Sequence, residues 1–105
     1  MPRSMGYVTA SVLNAVRRGQ LYGADIMAET GLSGGTVYKI LRRLERRGHI
    51  EGCWEKPLVA ERERRPRRRY YGLTRSGEVA LEAAVTHFRV LMPAESDRSL
   101  ASEGR

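Results

Sequence analysis

Cys53 is the only cysteine in the 105 residues, so neither an internal disulfide nor a thiolate-rich metal site can be built within the chain. Lysine is nearly as scarce, with Lys39 and Lys56 alone, and almost all of the positive charge is arginine. No apolar run approaches the roughly 20 residues of a membrane span. Behind Arg3 the stretch is broken by Thr9, Ser11 and Asn14, so there is no apolar signal core and a cytoplasmic location is expected. His49 and His87 stand far apart, with no second ligand at metal spacing and no paired carboxylate. Gly34–Gly35 lacks the spacing and the lysine of a phosphate loop. No nucleophile, base and orienting group can be assembled, so neither an enzyme nor a cofactor is expected.

What is present is a small, strongly basic chain. Its length suits one domain. With 41% apolar and 30% charged residues it reads as globular rather than disordered. Nineteen basic residues against 12 acidic ones leave a formal charge of +7, which calls for a polyanionic partner. Arginine suits that role because its planar fork meets guanine or phosphate with two hydrogen bonds. An anionic membrane surface is the other polyanion, but the Trp/Phe/Leu-rich opposing face it would need is missing.

The pattern along the chain is mainly α with one small hairpin. Apolar positions from Met5 to Val16, closed by Arg17, Arg18 and Gly19, predict a first helix. Tyr22–Thr30 predicts a second, stopped by Gly31. Ser33 is placed to cap a third helix running to Arg47, with Val37, Ile40, Leu41 and Leu44 on one face. After Gly48 the period changes. Residues 49–55 alternate as a strand does, with Ile50 and Trp54 on one side and Glu51, Cys53 and Glu55 on the other. Residues 57–69 read as a long basic tip, and Tyr70–Leu73 as the returning strand. Thr74 then caps a last helix reaching Met92. Residues 1–92 thus form one domain, a winged helix-turn-helix with a C-terminal dimerisation helix over 74–92, and 93–105 are expected to be a disordered tail.

The third helix carries the strongest functional signal. Opposite its apolar face lie Gly35, Lys39, Arg42 and Arg46, flanked by Tyr38 and Arg43. A recognition helix needs one face for its own domain and one free for a major groove about 12 Å wide. Its N-terminal residues approach the bases, which nominates Ser33, Gly35, Thr36, Tyr38 and Lys39, with Arg42 also in reach and Arg43 and Arg46 nearer the backbone. On the hairpin tip, Arg62, Arg64, Arg65, Arg67, Arg68 and Arg69 suit phosphates or an adjacent minor groove. The competing readings are a solvated basic helix face and a flexible charged loop. Trp54, Tyr70 and Tyr71 are expected to pack beneath the wing rather than to stack bases or bind a flat ligand, and Cys53 is expected to be a partly exposed structural thiol. The last helix is too apolar for the surface of so small a monomer. A second copy is expected to cover it, with Val8, Val12, Leu81, Val85, Phe88, Leu91 and Met92 at the interface.

Gly31–Ile50 (G-L-S-G-G-T-V-Y-K-I-L-R-R-L-E-R-R-G-H-I) followed by Arg68–Gly77 (R-R-Y-Y-G-L-T-R-S-G) resembles the PadR family of winged-helix transcriptional regulators. Leu21–Gly23 resembles that family's entry to its second helix. The resemblance implies a homodimeric bacterial regulator, usually a repressor, on inverted-repeat double-stranded operator DNA. It also implies a small aromatic effector near the dimer interface. By the same resemblance, DNA contacts fall on Ser33, Gly35, Thr36, Tyr38 and Lys39, and on the Arg67–Arg69 approach to Tyr70. The chain departs from the pattern in having Lys39 where many members have proline. Its insert Ala60–Arg65 is longer and richer in arginine, and no long helical domain is expected after Met92. The alternatives are a non-specific nucleic-acid or nucleoid binder, and a winged-helix module that binds a protein.

Overall fold

The computed structural model describes residues 5–91. Within them the order is α1 (Tyr7–Arg17), α2 (Gly23–Thr30), α3 (Gly34–Arg46), β1 (Ile50–Trp54), α4 (Pro57–Arg62), β2 (Arg69–Leu73) and α5 (Arg75–Leu91). The helix limits have local causes. Gly31 leaves α2 in the left-handed conformation with φ of 75° and returns its N–H to the Met27 carbonyl. Ser33 caps α3, its Oγ accepting from the Thr36 N–H at 3.3 Å. Thr74 does the same for α5, accepting from the Gly77 N–H at 3.1 Å while its hydroxyl donates to the Gly48 carbonyl at 2.6 Å. One threonine therefore starts α5 and fastens it to the turn after α3.

The core lies where α1, α2 and α3 meet the two strands and α5. Val12, Leu13, Ala15 and Val16 of α1 meet Ile26 of α2 and the predicted quartet Val37, Ile40, Leu41 and Leu44 of α3. Ile50, Tyr71 and Leu81 close it from the hairpin and α5. Each fully buried leucine or isoleucine contributes about 1.5–3 kcal/mol of transfer free energy. β1 and β2 pair antiparallel, from Ile50 opposite Leu73 to Trp54 opposite Arg69. A bridge from Tyr22 to Tyr70, with the Tyr71 N–H donating to the Leu21 carbonyl at 2.9 Å, ties the hairpin to the entry of α2. Gly77 lies so close to the His49 carbonyl that a Cβ there would overlap it. Among the described residues, no helix is long and apolar enough to cross a membrane.

Several expectations need correcting. The basic tip is not wholly irregular: Pro57 takes an early helical position and Ala60 is buried, giving the short helix α4. Strand alternation fails at its far end, where Trp54 is 56% exposed and Glu55 is buried. Tyr71 does pack in the core, but Tyr70 lies on the surface. Val12 and Leu81 cannot face a second subunit, because α1 and α5 pack together and both side chains are closed within the monomer's own core. The expected tail at 93–105, together with Met92, lies outside the described residues.

Candidate nucleic-acid interface

Because Val37, Ile40, Leu41 and Leu44 face inward, helical geometry turns the opposite side of α3 outward. Ser33, Gly35, Thr36, Lys39, Arg42 and Arg46 are all exposed, Tyr38 is partly so and Arg43 is half-buried. Among the described residues, Lys39, Arg42, Arg43 and Arg46 enter no ion pair. The two glycines at the start of the helix differ in role. Gly34 faces Met27, where a Cβ would come within 3.4 Å of its methyl, so it brings α2 and α3 together. Gly35 faces open space and leaves a thin outer edge at the helix start. Tyr38 lies across the beginning of α2, its hydroxyl in the space a Cβ on Gly23 would need. Gly23 thus sets the direction in which that hydroxyl points.

The arginines of the wing separate into groups by what each of them meets. Arg62 and Arg64 are exposed and unpaired among the described residues. Arg64 occupies the left-handed backbone region with φ of 53°, an unfavourable conformation for a side chain of its size, and so forms the turn at the tip. Arg65 is turned inward. Its guanidinium forks onto Glu55, with Nη2 donating to Oε2 at 2.9 Å, while Nε donates to Glu63 at 2.8 Å. The Arg68 N–H also donates to the Glu55 carboxylate, at 3.1 Å, and Arg67 Nε donates to the Glu55 carbonyl at 2.8 Å. Hydrogen bonding from Arg65, opposed by desolvation and aided by the Arg68 amide, holds the Glu55 carboxyl down at about 2. Glu55 is therefore the hub around which the wing tip is folded.

Arg69 is also occupied. It lies over Gly52 across the hairpin and donates to Glu45 on α3, and this bond raises its already high pKa. The guanidinium of Arg68 stacks on Tyr22 at 3.9 Å, and those of Arg67 and Arg69 flank Trp54 at 5.9 and 5.4 Å. Arg65 and Arg69 are thus structural cations and not a free phosphate-binding run. Arg62 and Arg64 project into solvent, and Arg67 and Arg68 sit between these limits.

Sequence reasoning missed Glu45, Glu55, Tyr22 and Gly23 as organisers of this surface. Glu55 had a signal, as a carboxylate at a strand end facing an arginine run ten residues on. Glu45 had none, since its partner is 24 residues away. Cys53 is exposed on the outer side of β1.

Three helices, a two-stranded wing and a basic outward face on the third helix define a winged-helix regulator. Residues 12–83 match the model of the transcriptional regulator PadR-like family, and the chain belongs to that family of transcription regulators. No curated protein matches it in sequence. Among solved structures it is similar to a PadR family transcription regulator from Clostridium difficile, at 24% identity and a TM-score of 0.73, over 88% of this chain and 97% of that one. BpsR of Bordetella bronchiseptica, whose DNA binding is regulated by 6-hydroxynicotinic acid, is similar at 21% identity and a TM-score of 0.70, over 90% and 67%. A variant of MepR from Staphylococcus aureus, bound to an oligodeoxyribonucleotide, is similar at 28% identity and a TM-score of 0.64, over 93% and 64%. The chain spans about two thirds of the length of BpsR and MepR.

Proposed function

We propose that this protein is a homodimeric repressor that binds an inverted-repeat operator, with the start of α3 in the major groove and the wing on the flanking backbone. The observation that carries the reading is the outward face of α3: Gly35, Lys39, Arg42 and Arg46 are exposed together and free of internal ion pairs among the described residues. A merely structural helix has no need of such a face. Ser33, Thr36 and Tyr38 border its N-terminal end, where base edges come closest. Arg62 and Arg64 reach past the wing to phosphates, with Arg67 and Arg68 beside them. Arg43 is half-buried on the flank of α3, outside this outward face.

Dimerisation is supported by Tyr7, Val8 and Val79, which leave 65%, 44% and 63% of their surface exposed on α1 and α5. Val85 and Phe88 are half-buried on α5, and Phe88 meets the Tyr7 ring edge-on at 5.4 Å. The side chain of Leu91 lies outside the described residues. A two-fold dimer would place two α3 helices in successive major grooves about 34 Å apart. Release by a small aromatic effector is the family expectation, and the control of BpsR by 6-hydroxynicotinic acid is a precedent on the same fold.

A gel-shift titration on DNA from upstream of the gene tests this, with random duplex as competitor at fixed salt and sedimentation to count protomers. A discrete complex that survives the competitor and protects two symmetric half-sites is expected. If random duplex removes it equally well, the protein is a non-specific nucleic-acid binder and the operator model is wrong.

A further inference from the structure

A cavity of about 350 Å³ opens between the start of α1, the end of α3 and the middle of α5. It lies on the flank of α3 opposite Glu45, and so away from the wing. Arg43 of α3 and Arg47 at its C-cap line it, four residues and about one turn apart, so both guanidiniums belong to one face. Like charges at this spacing repel, and here nothing offsets them. Among the described residues neither arginine has a carboxylate partner, and no acidic side chain lines the cavity.

The rest of the lining is Met5, Gly6 and Thr9 before and in α1, His49, and three alanines of α5. Thr9 contributes a hydroxyl. His49 lines the cavity with Nδ1 held by Ser76 Oγ at 2.9 Å, which leaves Nε2 as the ring nitrogen available to a ligand. The α5 wall consists of the methyl groups of Ala80, Ala83 and Ala84. Two guanidinium forks with no carboxylate among the lining residues make a site rich in donors, the complement of a compact dianion. Its volume falls within the range of small-molecule sites.

We propose that this cavity binds the phosphate group of a small phosphorylated molecule, held by Arg43 and Arg47 with the organic part against the alanine wall. A ligand seated there touches the recognition helix on one side and α1 and α5 on the other, so its binding is linked to the geometry in which α3 is presented to DNA. The DNA backbone is the other source of the same group, because Arg43 stands on the flank of α3.

The test is an NMR titration of the full chain with inorganic phosphate, against chloride at matched ionic strength, following the arginine Nε–H resonances and the Ala80–Ala84 amides. Saturable shifts at Arg43, Arg47 and the alanines are expected. Arg47→Gln should weaken binding by at least about tenfold, the loss of one charge-assisted pair. Arg17→Gln, at a distant exposed site, should leave binding unchanged. Ala83→Leu, which fills the cavity and keeps every charge, should also abolish binding, and this guards against a folding defect in the arginine variant. Shifts that do not saturate, or that are equal in Arg17→Gln and Arg47→Gln, overturn the proposal. Saturating duplex DNA then separates the sources. Retention of phosphate on the complex supports a free ligand, whereas displacement, with DNA shifting the same resonances, assigns the cavity to the backbone and refutes it.

Discussion

Replacing Arg62 and Arg64 together by glutamine removes the two wing cations that the fold leaves unpaired among the described residues, and touches none that it uses internally. Each phosphate that is no longer neutralised lowers the dependence of log K on log salt by about 0.9, so two phosphates amount to about 1.8 per wing and about 3.6 for the two wings of the proposed dimer. Between roughly 50 and 200 mM salt, the variant should therefore lose about two decades less affinity than the parent protein does. Fluorescence anisotropy on a labelled operator duplex, repeated over a salt series, measures both slopes. The ratio of operator to random-duplex affinity should stay the same, because phosphate binding carries no base information. An unchanged slope would mean that the wing tip stays in water. A lower slope with lost selectivity would mean that these arginines read the minor groove, and that base reading is not confined to α3.

Lys39→Ala or Arg42→Ala should cost about 1–3 kcal/mol on the operator and relax its sequence preference, as measured by competition with base-substituted sites. If neither variant changes the preference, the outward face of α3 does not read bases. Acid should unlock the wing in the range set by Glu55. Its carboxyl lies at about 2 when folded, against an ordinary value of 4.5, so its contribution is complete above about 4.5 and lost as pH falls toward 2. Fluorescence of the single tryptophan, Trp54, next to Glu55, should report a transition there that Glu55→Gln lacks. The same transition in both proteins would remove Glu55 from that role. Gly77→Ala should destabilise the fold by about 1–3 kcal/mol, because the added methyl meets the His49 backbone carbonyl and this outweighs the roughly 1 kcal/mol gain in helix propensity. Thermal denaturation measures it, and an unchanged or higher midpoint would contradict the packing described.

The features legible in the sequence are those whose cause is local. The quartet at Val37, Ile40, Leu41 and Leu44 fixes both the existence of α3 and the face it buries, and so also the face left to solvent. Thr74 and Gly31 mark helix ends through bonds that span only a few residues. The wing is not legible in the same way, because its order comes from elsewhere. Glu55 turns inward because Arg65 and the Arg68 amide hold its carboxylate, and no alternation rule contains residues 10 and 13 positions away. Trp54 is displaced to the surface, where arginine guanidiniums flank its ring. The order of the six wing arginines shows that Arg68 and Arg69 enter the strand, but not which carboxylate, carbonyl or ring each one meets. The apolar breadth of α5 is visible in the sequence, but it does not show that Leu81 belongs to the monomer while Val79 faces out.

Glu45 and Arg69 join the helix that offers Lys39 and Arg42 to the strand that carries the wing. The distance between α3 and the wing is consequently a property of a single folded protomer. In evolutionary terms the two variables can be tuned separately. In the proposed dimer, changes along α1 and α5 would alter the spacing between half-sites while the width of each half-site stays the same. A loss of the Glu45–Arg69 pair would do the reverse, blurring each half-site bound by the proposed dimer.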